Sequence, residues 1–262
     1  SSGYDKWYGT DVISCEDVEF HHFKFCGNKI DPYANHSALR FTHDPDNPWR
    51  KLPRGVQVGV GGGCKRISFK KCLFHCNGFM QLYLANVYDP LVEDCVFMDS
   101  NSDHLRTDGH QTNAVFRRCI FYRVFPQKGS SGGMPHCDHA QNTTKTQNGW
   151  INHRFEMCLF APGDGNYAHV QGPFYECDEY PTWPAGDYLT LRDCVLETRV
   201  TNSIYSRPGN HLLVDLTSII QNQYGGWYEN KDGDLIRGDP LIHTPQVLVS
   251  QTTGNGRSFG NN

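Results

Sequence analysis

Apolar positions recur along this chain in a fixed frame. In the stretch 66–74, with Cys72 taken as zero, apolar residues stand at −5 (Ile67), −3 (Phe69), 0 (Cys72), +1 (Leu73) and +2 (Phe74). The same frame fits around Phe23, Cys95, Cys119, Cys158, Cys194 and Thr217. Its −3 column reads Phe20, Phe69, Val92, Phe116, Phe155, Leu191 and Val214. Its +2 column reads Phe25, Phe74, Phe97, Phe121, Phe160, Leu196 and Ile219. Cys72, Cys95 and Cys119 are 23 and 24 residues apart, and Cys194 and Thr217 are 23 apart. The inward parity changes between −3 and 0, as it does when two short alternating strands are separated by a bend.

A third strand accompanies each pair: QVGV (57–60), QLYL (81–84), HLRT (104–107), HAQ (139–141), AHVQ (168–171) and SIYS (203–206). Val58, Val60, Leu82, Leu84, Leu105, Thr107, Ala140, Ala168, Val170, Ile204 and Ser206 are predicted to point inward. That leaves Gln57 with Gly59, Gln81 with Tyr83, His104 with Arg106, His139 with Gln141, His169 with Gln171 and Ser203 with Tyr205 on the outside.

A repeat of this length that cannot bury its own apolar face predicts a solenoid. Like residues then stack at the roughly 4.8 Å spacing of neighbouring strands. The expected fold is all-β, a right-handed parallel β-helix of about nine or ten coils. An antiparallel sandwich has no reason to hold a Cys column and a Phe column in one register. The β-helix is expected over 1–220, regular from about 57, with loop insertions at 125–135, 142–150 and 172–186; 221–262 reads as a C-terminal cap and tail. The first rung begins by Val18, which leaves little room for an N-terminal cap and suggests a mature product or a fragment. The first ten residues do not resemble a signal peptide.

Composition narrows the partners. The chain has 262 residues, a net charge of −4 and a pI near 6.3. No basic footprint points to nucleic acid, and no apolar run reaches the length of a membrane span. Five of the 11 cysteines lie in the zero column, where a small apolar side chain suits a narrow coil. The other six, Cys15, Cys26, Cys64, Cys76, Cys137 and Cys177, follow no metal spacing.

The candidate chemistry gathers where the loops lengthen. The insertions flank the strands that carry His104, His139 and His169, and solenoids place insertions on the binding face. Neutral imidazoles beside Arg106 suit proton abstraction from a sugar carbon next to a carboxylate, with Arg106 holding that carboxylate. This is β-elimination: His139 or His169 as base or acid, His104 in the same row, and Gln141 and Gln171 as positioning groups. A second reading pairs Asp108 with Asp138 as the carboxylates of a glycoside hydrolase. Each aspartate reads equally as a turn residue. Tyr83, Tyr167, Tyr175, Tyr180 and Trp183 offer flat faces to sugar rings. No cofactor is expected, no metal ligands are assigned, and a divalent cation such as Ca2+ has no motif to hold it.

The rung pattern over roughly 18–220 resembles the pectate-lyase-like superfamily of right-handed parallel β-helices. HCDHAQ (136–141) is similar to an HxDxxQ string in uncharacterised members, and TDGHQ (107–111) distantly resembles the polygalacturonase GHG motif. The pectate lyase vWiDH and RxPxxR signatures and the polygalacturonase NTD are absent. The resemblance implies a carbohydrate partner; with the chemistry of the 104–171 face the expected partner is an acidic extracellular polysaccharide, and the expected place is outside the cell or on a virion surface. It also admits an adhesin or tailspike module without catalysis, with a homotrimer as the assembly suggested by analogy. Fold alone does not decide between these.

Overall fold

A computed structural model describes residues 10–26, 56–77, 80–100, 103–124, 137–144, 150–161, 170–177, 187–198, 202–207, 212–221, 227–229, 235–237, 246–249 and 257–260. They form an all-β, solenoid-like stack of three parallel sheets, compatible with a parallel β-helix. The chain visits the sheets in strict rotation. Sheet A holds 10–13, 56–61, 80–85, 105–108, 137–144, 170–177 and 202–207 in that spatial order. Sheet B takes the next strand of each rung (19–21, 68–70, 91–93, 115–117, 150–156, 187–192 and 212–215). Sheet C takes the third (24–26, 73–77, 96–100, 120–124, 159–161, 195–198 and 218–221). Strand 246–249 extends sheet A in parallel, and 257–260 then pairs with it antiparallel.

The apolar columns fall into register as written. Phe20, Phe69, Val92, Phe116, Phe155, Leu191 and Val214 are successive partners in sheet B. Phe25, Phe74, Phe97, Phe121, Phe160, Leu196 and Ile219 are successive partners in sheet C. Their rings stack at the strand spacing, with centroids 4.5 Å apart for Phe74–Phe97, 4.9 Å for Phe97–Phe121 and 4.8 Å for Phe121–Phe160. Burying each ring stabilises the fold by about 1.5–3 kcal/mol.

The parity change has a simple backbone cause. The residue just before each zero position has positive φ: His22, Lys71, Asp94, Arg118, Met157, Asp193 and Leu216. One left-handed residue turns the chain from sheet B into sheet C without adding a loop. The zero column then faces inward. Cys72, Cys95, Cys119, Cys158 and Cys194 are buried free thiols. Each sulfur lies 3.4–3.5 Å from a sheet B carbonyl of the preceding rung: Phe20, Phe69, Val92, Phe116 and Phe155. Thr217 Oγ1 makes the same contact with Leu191. Phe23 departs from the column: its ring is half exposed and stacks on Phe25 instead.

Two of the expected insertion boundaries move. Residues 142–144 continue a sheet A strand and Trp150 opens a sheet B strand, while 172–177 belong to a sheet A strand. Residues 125–135 and 178–186 lie outside the described residues. Among the described residues seven rungs are complete, and no helix is long and apolar enough to cross a membrane.

Candidate functional site

The outer face of sheet A carries Tyr83, Arg106 and Gln141 in strict register on three adjacent rungs. The backbone ladder continues from Gln141 to Phe174, which is buried, and then to position 205. Tyr83, Arg106 and Gln141 are partly exposed. Their inward neighbours Leu82, Leu105 and Ala140 are buried, so strand alternation holds here and sends the column outward. The Tyr83 hydroxyl donates to Asp108 Oδ2 at 3.2 Å. The other oxygen, Oδ1, accepts the Gly109 N–H at 2.8 Å. Asp108 is thus a turn residue and a member of the face at once. Gly109 has φ 68°, and a Cβ there would fall 2.5 Å from Asn86 Oδ1, so the turn requires glycine.

The histidines lie elsewhere. His104 and His139 are 0% and 1% exposed, not outward as the alternation suggested. Each directly precedes an inward residue: His104 stands at the bend before strand 105–108, whereas His139 is the third residue of strand 137–144, where Asp138, His139 and Ala140 are all buried. At His104 the bend turns two consecutive side chains inward, which alternation alone does not. The two rings stack with centroids 5.1 Å apart, and their Nδ1 atoms are 3.0 Å apart, one donating and the other accepting. Burial pushes His104 down to about 3, against backbone groups of Arg123 and Tyr122 that favour its charged form. His139 is held well below the usual imidazole range, by burial first and by His104 second.

Their column explains them. Gln57 and Gln81 occupy the same position on the two preceding rungs and are also buried, again not outward. Gln57 Nε2 donates to the His75 carbonyl at 3.1 Å, and Gln81 Nε2 to the Met98 carbonyl at 2.6 Å. His75, Met98 and Tyr122 are register partners in sheet C. The ladder then skips one residue, pairing Asn77 with Ser100 and Ser100 with Val124. Asp99 and Arg123, at the skipped position, have φ of 62° and 63°. The register is the same on both sides of that position, so the left-handed residue bends each strand without adding a residue, and the polar column supplies donors to the backbone at the bend.

Asp138 is fully buried at the same corner, and its N–H donates to Asp103 Oδ1 at 3.0 Å. Burial raises the Asp103 carboxyl to about 6, partly offset by that Asp138 N–H and then by the positive charge of Arg106. Asp138 therefore stands level with Asp103, while Asp108 lies five residues further along the strand. At about 3.3 Å per residue the separation is roughly 16 Å, too long for either arrangement of paired glycosidase carboxylates. The Asp108–Asp138 hydrolase pair is not brought together.

Tyr175 is also interior rather than a sugar platform. It packs edge-on against Trp150 at 4.9 Å, and its hydroxyl lies 3.3 Å from His153 Nδ1. Burial raises its phenol above the usual range. The neighbouring rungs add Asn142 and Thr107, joined at 2.7 Å. Gln171 stands in register with Asp138, not with the outward residue of its rung, and Phe174 takes the place beside Gln141. The sixth sheet A strand is thus displaced by three residues from the expected alignment. His169, Tyr167, Tyr180 and Trp183 lie outside the described residues. Among the described residues no group of three or more His, Cys, Asp or Glu side chains could hold a metal ion.

No protein-family model matches this sequence, and no curated protein matches it. The functional reading therefore rests on the residues themselves.

Sequence reasoning missed a second polar cluster, at the outer edge of sheet C. His75 Nε2 lies 2.9 Å from Asp99 Oδ2, and Arg123 Nε lies 2.5 Å from Asp99 Oδ1. Three rungs thus carry His, Asp and Arg in sequence. Its signal was present: polar residues stand three or four positions after Cys72, Cys95 and Cys119, where the inward columns end.

Proposed function

We propose that the protein binds an acidic extracellular polysaccharide along the outer face of sheet A. We place the fold, on its aligned columns, among right-handed pectate-lyase-like β-helices. The observation that carries the reading is the in-register column of Tyr83, Arg106 and Gln141, with Asp108 bonded to Tyr83. An aromatic ring, a guanidinium and an amide at rung spacing suit a repeating sugar chain. The guanidinium matches a uronate carboxylate bidentately, the ring covers an apolar sugar face, and the amide serves hydroxyls.

Chemistry at that face is a further step. β-Elimination needs a base that touches the sugar. His104 and His139 are sealed behind the wall, and His169 lies outside the described residues. Their burial favours the second reading, a non-catalytic adhesin or spike module at the cell exterior or on a virion.

The test is equilibrium binding to a panel of uronate and neutral polymers, with unsaturated-sugar absorbance and reducing ends followed in parallel. Binding to uronates is expected. Arg106→Ala should weaken it by about tenfold or more, the range of one hydrogen bond to a charged group. Equal binding by native protein and Arg106→Ala would remove this face from the function. Binding without product in either assay would assign the adhesin, and unsaturated product would assign the lyase.

A further inference from the structure

Leu73, Val96, Ile120, Leu159 and Val195 are successive register partners on five rungs of sheet C, each one residue past the zero column. The residue that follows each of them is a fully buried Phe or Leu, so alternation sends all five outward. Ile120, Leu159 and Val195 are 36–39% exposed, and Leu73 and Val96 are partly exposed. The column ends in polar residues on both sides, Lys24 and Ser218. Met98 and Tyr122, two residues further along their strands, are partly exposed beside it. Sheet B differs: one column of its outer face carries a charge on six successive rungs, from Lys70 to Asp215. A single apolar side chain on a surface needs no explanation, but five in register make a continuous patch, the mark of an interaction site.

The borders of the patch decide what fits it. Ile120 is central, with two apolar rungs on either side. A two-fold axis through that rung, parallel to its strand, lays a second copy on the face with its rungs in reverse order. Leu73 then meets Val195 of the copy, Val96 meets Leu159, and Ile120 meets its own equivalent; an isologous contact makes each unlike pair twice. The charged margins match in the same register. Lys71 and Asp193, each just before the zero column and both exposed, stand two rungs on either side of the axis, so each meets the other across it. On the opposite margin His75 and Glu197 stand at the same two rungs and set an imidazole against a carboxylate. Arg118 lies at the axis, opposite itself, but within its own chain it is bonded to Asp94 at 2.6 Å and Glu93 at 3.0 Å. A two-fold along the coil axis would instead bring Asp193 to Glu197, carboxylate against carboxylate.

We propose that sheet C is the contact face of an antiparallel homodimer, two copies of this chain related by a two-fold axis at Ile120. Seven rungs span roughly 29 Å and a five-residue strand roughly 17 Å, so pairing buries about 1,000 Å² in total, the lower limit for a specific interface. The dimer therefore forms reversibly and depends on concentration. Sheet A is a different wall of the coil, so the contact stands whether or not polysaccharide binds there.

Sedimentation velocity of the full chain over a concentration series tests this. The mass should rise from one chain to two and stop. Ile120→Lys, with folding checked by circular dichroism, sets two cations together at the axis and should weaken association by about tenfold or more. Lys71→Glu and Asp193→Lys test the register. Alone, each opposes like charges at both ends of the contact and should weaken association by about threefold to tenfold at low salt. Mixed in equal amounts the two variants should associate again, because each then meets an opposite charge at both ends. A chain that stays monomeric overturns the proposal and leaves the face to a segment of this chain or to another protein. A trimer overturns it, as does unchanged association in folded Ile120→Lys. A mixture that associates no better than either charge variant alone overturns the antiparallel register.

Discussion

The corner from sheet B to sheet C and the corner from sheet C to sheet A turn the same chain with different materials. The first uses one left-handed residue per rung and closes on a thiol or hydroxyl against a carbonyl. It is the same on every rung from Cys72 to Thr217, and Phe stacks on Phe at 4.5–4.9 Å on either side of it. The second bends at left-handed residues of its own, Asp99 and Arg123, buries that Asp–Arg pair, and needs Gln57, Gln81 and His104 to serve the backbone at the bend. The apolar corner gains by repetition alone. The polar corner is stable only while every group keeps its partner, because an unpaired buried polar group is costly. The two should therefore fail under different insults.

Acid is the insult that selects the polar side. His104 and His153 are pushed down to about 3 and His139 is also strongly lowered, all by burial first. The unfolded chain protonates histidine near 6.5. Their contribution to stability is therefore full above about pH 6.5 and is lost as pH falls toward 3. Asp103 acts in the opposite direction: its folded carboxyl, raised to about 6, takes a proton before the unfolded one at about 3.9. Between pH 6 and 4 it offsets one of the three histidines. A net of about two protons, each worth about 1.4 kcal/mol per pH unit, predicts a loss of several kcal/mol over that interval. Urea denaturation at a series of pH values measures it. A midpoint that stays level from pH 7 to 4 would mean that these imidazoles are not buried neutral.

The apolar side breaks by truncation. Phe121→Ala removes a ring stacked between Phe97 and Phe160 and should cost about 3–5 kcal/mol at any pH. If the two corners are independent, its effect on the denaturation midpoint adds to that of acid. A smaller change probes the polar column itself. His104→Gln should be tolerated to within about 1 kcal/mol, because Gln81 already makes the equivalent bond to Met98 one rung away. His104→Leu leaves the backbone at Tyr122 without its partner and should cost about 1–3 kcal/mol. The Gln variant should also lose part of the acid sensitivity, which the Leu variant cannot separate from its general instability.

The same contrast explains how much could be read from the residues. The Phe and Cys columns were legible because a one-residue corner keeps the offset from −3 to 0 constant on every rung. The placement of His104 and His139 was not. For His104, Leu105 and Thr107 fixed the parity of the strand correctly, but extending it back by one residue crossed a bend, where parity no longer applies; His139 lies inside strand 137–144, which buries Asp138, His139 and Ala140 in succession. The alignment of 168–171 with 139–141 failed for a related reason: the register partner of Ala140 is Pro173, and nothing in a strand of mixed residues announces a three-residue shift. The outward members Tyr83, Arg106 and Gln141 were legible because alternation holds from their inward neighbours Leu82, Leu105 and Ala140.

The outer face of sheet B offers the gentlest test of the repeat. His21, Lys70, Glu93, Arg117, Glu156, Arg192 and Asp215 are successive register partners. From Lys70 onward the sign of the charge alternates on every rung, so Glu93, Arg117, Glu156 and Arg192 each meet opposite charges on both sides. Arg117 reaches Glu156 at 2.8 Å and Glu93 at 3.4 Å, and Arg118 adds a 3.0 Å contact to Glu93. These groups border solvent, where an ion pair is worth about 0–1 kcal/mol. Glu93→Lys would place cations on three consecutive rungs and remove both arginine contacts to Glu93. Like charges opposite one another destabilise a sheet by a similar small amount, so the loss should be about 1 kcal/mol at low salt. Screening shortens the reach of exposed charges, and the loss should shrink as salt is added, while that of Phe121→Ala should not. A salt-independent loss would mean that Glu93 acts through packing, and the alternation would then be no part of what holds neighbouring rungs in register.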